Sequence, residues 1–128
     1  MKNMKQPVEK DVMKAVKAKV EALQVAYKEH KNVTPAMIEE LKALRELFKD
    51  IEKPTVVKSI RLVYEHIEMH GSLDNLKYWE EEEIELDDEN SSFAYYIGLL
   101  INPTNKYNRE EIKELNVLLK TFGQEEEE

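Results

Sequence analysis

Apolar residues recur at spacings of three and four along most of this 128-residue chain, the pattern of amphipathic helices. Val8, Val12, Val16, Val20, Leu23 and Tyr27 line one face of a first helix expected over residues 7–30, with Lys10, Lys14, Lys17 and Lys28 on the opposite side. Pro7 suits its first position, because the missing N–H would find no intrahelical acceptor there. Thr34-Pro35 reads as the N-cap and first residue of a second helix. Its stripe is Met37, Ile38, Leu41, Leu44, Phe48 and Ile51. Lys53-Pro54 ends it, since proline drives the residue before it out of helical geometry. A third helix is expected over residues 54–70, with Val56, Ile60, Val63, Tyr64 and Ile67 inward and Gly71 as a left-handed stop.

The periodicity weakens after Gly71. Ser72 can cap a segment running to about residue 86, yet Leu73, Leu76, Trp79 and Ile84 form no clean stripe, and consecutive glutamates repel one another along a helix. Ile84-Glu85-Leu86 would serve equally well as a short extended piece. Residues 87–92 read as loop. Ser91 or Ser92 then caps a short apolar helix over 93–101, closed by Asn102-Pro103. Asn108 with Glu111 resembles a capping box and predicts a last helix with Ile112, Leu115, Leu118, Leu119 and Phe122 inward and Gly123 as its stop. Residues 124–128 read as a frayed, disordered acidic tail.

Amphipathic helices joined by short turns bury their stripes against one another. The expected fold is therefore all-α: a single domain spanning residues 1–128, a bundle of four to six helices. The length suits one core. The chain has no Cys, so disulfides and thiolate chemistry are excluded. The N-terminus lacks the apolar run of a secretory leader, and no stretch approaches the ~20 apolar residues of a membrane span. The sequence-based expectation is a soluble, cytoplasmic protein.

Charge changes the picture more than composition does. Residues 1–32 carry eight Lys and four acids, residues 33–71 six bases and seven acids, and residues 72–128 five bases and sixteen acids. The net charge of −8 is thus concentrated late in the chain, mostly in the run WEEEEIELDDEN from Trp79 and in the four closing glutamates. Such a field repels duplex nucleic acid, so nucleic acid is not expected as the main ligand. Acids flanked by aromatics suit a basic protein surface, because Tyr and Trp are good interface anchors. Tyr78, Trp79, Glu80, Glu81, Glu82, Glu83, Asp87 and Asp88 are the candidate partner-binding residues. The plainer reading is a solvated acidic segment held down by a buried Trp79.

His66 and His70 are one turn apart on the third helix and could share a metal ion. On a wheel centred on Val63 and Ile67, His70 lies roughly 40–60° from the centre and His66 roughly 80–100°. Both are expected at a half-exposed flank, with His70 the nearer to the core. Glu68 points to the other flank, so a third ligand must come from elsewhere. The acidic run lacks EF-hand spacing. Ser59, Ser72, Ser91 and Ser92 have no His at a suggestive spacing, and no Gly-rich phosphate loop, Gly-x-Ser-x-Gly elbow or His-Glu-x-x-His is present.

These features predict a non-enzymatic helical protein-binding module that needs no cofactor. Its acidic C-terminal half docks a basic protein, in the manner of an immunity protein, an inhibitor or an adaptor. The alternatives are a metal-binding bundle or metal-dependent enzyme using His66 and His70, and a structural subunit that self-assembles through its own basic and acidic halves as a homo-oligomer.

Overall fold

The computed structural model describes residues 9–73 and 92–126, and these form five helices with no strand. Helix α1 spans Glu9–His30, α2 Pro35–Asp50, α3 Pro54–His70, α4 Ser92–Leu99 and α5 Lys106–Glu126. The all-α bundle expected from the periodicity is the fold.

Each boundary has a local chemical cause. Thr34 sits in extended geometry, and its Oγ1 accepts from the Met37 N–H at 3.2 Å. The Met37 sulfur takes the place usually held by Glu or Gln in a capping box, accepting from the Thr34 N–H at 3.5 Å. The far end of α2 closes in a Schellman pattern. The N–H of Lys53 reaches the Phe48 carbonyl and that of Glu52 the Lys49 carbonyl, both at 3.1 Å, with Glu52 at φ 55°. Glu52 therefore occupies a left-handed position that an L residue other than Gly adopts at some cost. Gly71 ends α3 at φ 90°, as expected from the sequence, donating to the Ile67 carbonyl at 2.7 Å.

Three boundaries differ from expectation. The last helix starts two residues before Asn108, because Asn105 is its cap: Oδ1 accepts from the N–H groups of Tyr107 at 3.0 Å and Asn108 at 3.4 Å. Asn108 instead turns its amide back to the Asn102 carbonyl at 3.0 Å. That helix also runs through Gly123 to Glu126, so Gly123 does not stop it and residues 124–126 are helical. A single Gly costs a helix only about 1 kcal/mol, which flanking turns can offset. Finally, α4 ends at Leu99 rather than Ile101, passing into turns that bury Pro103. Residues 1–8, 74–91, 127 and 128 lie outside the described residues, and with them Pro7, Val8 and the uncertain segment after Leu73.

The helices pack in a closed order. α1 lies against α2 and α4, α2 against α3, α3 against α5, and α5 against α4. The stripe residues meet at the centre: Val16 and Val20, Leu41 and Leu44, Ile60 and Val63, and Ile112 have no exposed surface. Helix α4 is apolar all round, which is the mark of an enclosed helix. Phe93, Tyr96, Ile97 and Leu99 are buried, and the Phe93 ring lies 5.3 Å from that of Tyr27 on α1. At its centre the Tyr96 hydroxyl shares a 2.9 Å hydrogen bond with the Ser59 hydroxyl of α3, both side chains being fully buried. Burial pushes the Tyr96 phenol well above its ordinary range, and the Ser59 bond only partly opposes that shift. Tyr95 on the outer side donates to the Glu111 carboxylate, tying α4 to α5. No described helix is long and apolar enough to cross a membrane.

Candidate functional site

The eight residues expected to dock a partner, Tyr78, Trp79, Glu80, Glu81, Glu82, Glu83, Asp87 and Asp88, all lie outside the described residues. What the structure places are the described residues that flank them in the chain. Leu73 is buried just past the end of α3, and Phe93 is buried at the start of α4. Phe93 stacks near the last turn of α1, and Gly71 borders a hollow with Val33 and Pro35 at the start of α2. Both anchors thus belong to one end of the bundle.

The charge ledger sharpens once the helices are drawn. Residues 9–73 and 92–126 together carry sixteen Lys and Arg and sixteen Asp and Glu, so the described body is neutral. The connection 74–91 carries one Lys and nine acids, equal by itself to the net charge of the whole chain. The excess of acid is thus carried by residues 74–91, which stand between α3 and α4 in the chain.

His66 and His70 come together as their spacing requires, with ring centroids 4.5 Å apart and planes inclined by 43°. Their order of burial is the reverse of expectation. His66 is 7% exposed and buried, while His70 is half-buried. The reason is that α3 is packed on two sides, by α2 and α5, and also receives Tyr96 at Ser59. Its buried surface is wider than the Val63–Ile67 stripe, and Ser59, Val63 and His66, at spacings of four and three, form a second buried line. Glu68 faces elsewhere, 4.0 Å from Lys42, as expected. Among the described residues no group of three or more His, Asp or Glu could hold a metal ion.

Sequence reasoning missed one grouping. Arg45, Lys49, Lys53, Lys58 and Arg61 line a common cleft where α2 turns into α3. In the sequence these cations alternate with acids and the segment sums to −1, which hid them. The signal was the helical spacing Arg45-Lys49-Lys53 on one side of the turn and Lys58-Arg61 on the other.

No family model, curated protein or solved structure matches this chain.

Proposed function

We propose that this chain is a non-enzymatic binding module whose acidic connection between α3 and α4 docks a basic protein partner. The observation that carries this reading is the concentration of nine acids against one Lys within residues 74–91, flanked in the chain by the packed helices α3 and α4. A charge spread for solubility would be shared among exposed helix faces, whereas a concentrated one raises the local field at a single place. The buried anchors at Leu73 and Phe93 support the reading, because they tether that charge to a packed scaffold at both ends. Electrostatic complementarity of this kind acts chiefly on encounter rate, and screening weakens it over about 8 Å at physiological salt.

The test begins with capture from the native host at low and high salt, followed by association kinetics with the recovered protein. Replacing Glu80, Glu81, Glu82 and Glu83 by Gln is expected to slow association by roughly tenfold and change dissociation much less. An association rate that is the same at low and high salt would refute the reading.

A second reading rests on the paired imidazoles of His66 and His70. Their nitrogens could supply two of the ligands that Zn²⁺ takes, with a carboxylate as a third. Calorimetric titration with Zn²⁺ decides it. The metal reading expects saturable binding that His70→Ala weakens by about tenfold or more; binding indifferent to that change would sink it.

A further inference from the structure

An open cleft of about 640 Å³ lies at the α2–α3 turn. Arg45 and Lys49 reach it from the last turns of α2, Lys53 from the turn, and Lys58 and Arg61 from α3, over an apolar floor of Pro54 and Val57; Glu52 is the acid among its described lining residues. Lys120 of α5 approaches from a third element. Its hydrogen bond and positive charge, followed by desolvation and the charge of Arg61, hold the Lys58 ammonium below the ordinary lysine range. Like charges are thus gathered at one concave place.

Three of the cations have a neighbouring carboxylate. Lys49 lies 3.5 Å from Glu46, Lys53 3.5 Å from Glu9, and Arg61 3.2 Å from Glu65. Among the described residues no carboxylate lies within 4.0 Å of Arg45, Lys58 or Lys120. The Arg45 Nε is buried with no hydrogen-bond partner, a costly state for a donor on a charged group.

The helix ends add to the same sign. The last carbonyls of α2 are taken by the N–H groups of Glu52 and Lys53, which blunts its negative end. Helix α3 begins at Pro54 with no side-chain cap. Pro54 has no N–H and the Val57 N–H is bonded to the Lys53 carbonyl at 2.9 Å, so at the cleft this helix start contributes the positive end of its dipole rather than free donors. Thr55 and Val56 border a smaller hollow of about 140 Å³ beside it, into which Arg109 also reaches.

We propose that this cleft binds a compact anion carrying two or more phosphate groups. Arg45 and Arg61 offer planar forks that match phosphate oxygens, and Lys49, Lys53 and Lys58 offer point charges. The volume falls within the roughly 300–1,000 Å³ of small-molecule pockets. Three cations without a nearby carboxylate call for more than one negative charge. A duplex would instead be met by cations spread in a stripe along its backbone, and here they converge on one hollow.

The experiment is calorimetric titration of the full chain with inorganic tripolyphosphate at physiological salt, with amide NMR shifts followed in parallel. Saturable one-to-one binding is expected, with shifts concentrated at Thr55, Val56, Val57 and Lys58. Arg61→Gln and Lys58→Gln are each expected to weaken binding by roughly tenfold, while Lys14→Gln with Lys17→Gln on the exposed face of α1 leaves it unchanged. Vesicles carrying a phosphatidylinositol bisphosphate form a second arm. Sedimentation with them that the Arg61 variant abolishes assigns the phosphates to a lipid headgroup, and free tripolyphosphate binding without it assigns them to a soluble ligand. No saturable binding in either arm overturns the proposal. So does equal weakening by the α1 control, which would mean general counterion attraction, or a preference for duplex nucleic acid over tripolyphosphate.

Discussion

Leu41→Ala and Ile60→Ala are each expected to destabilise the protein by about 2–5 kcal/mol, the range of large-to-small substitutions in packed cores. Both side chains are fully buried, and they sit on α2 and α3, two helices packed directly against each other. Truncation removes transfer free energy and leaves a space that helices fixed by caps and a three-residue turn cannot close. The spread depends on how far neighbours such as Leu44 and Val63 relax into the gap. Val25→Ala on the exposed side of α1, where 69% of the residue is accessible, should stay within about 0.5 kcal/mol. Urea melts of the three variants check this. Equal, small changes at all three positions would mean that the core is elsewhere.

The second large effect belongs to the Ser59–Tyr96 pair. Tyr96→Phe keeps the ring and removes the hydroxyl, leaving the Ser59 hydroxyl buried without the partner it had at 2.9 Å. An orphaned polar group of this kind costs about 1–3 kcal/mol. Adding Ser59→Ala removes the orphan, so the double variant is expected to be no less stable than Tyr96→Phe alone, and the pair to be strongly non-additive. A pH dependence follows from the same burial. The folded-state pKa of Tyr96 is raised above its unfolded value of about 10. The stabilisation it carries is therefore complete below about pH 10 and is lost as pH climbs from there towards the folded value, because only the unfolded chain then releases the proton. Tyr96→Phe should show a shallower alkaline loss of stability than the parent. Parallel curves for the two proteins above pH 10 would contradict the assigned burial.

The candidate sites were legible to different depths. The pairing of His66 with His70 follows from one turn of helix and needs no tertiary information. Their burial did need it, since a wheel drawn on one stripe cannot know that α3 is covered on two sides and pinned by Tyr96. The cation cleft was illegible for a related reason. A running sum of charge averages Arg45, Lys49, Lys53, Lys58 and Arg61 with Glu46, Glu52 and Glu65, and only the reversal of direction between α2 and α3 puts the cations on one wall. The acidic connection was legible as composition, because its acids follow one another closely in the chain.

What the chain by itself determined was local: the helical period of the stripes, the Thr34-Pro35 start of α2, and the Gly71 stop of α3. These depend on interactions within a few residues, which is the range over which sequence neighbours are also neighbours in space. The position of the α5 cap was equally local but ambiguous, because Asn105 and Asn108 are both competent, and the turn after Pro103 selected Asn105. Tertiary structure alone decided that an eight-residue apolar helix would be enclosed between α1 and α5, and that Ser59 would be buried to meet Tyr96. Both outcomes depend on partners more than thirty residues away, which the spacing of a single segment does not contain.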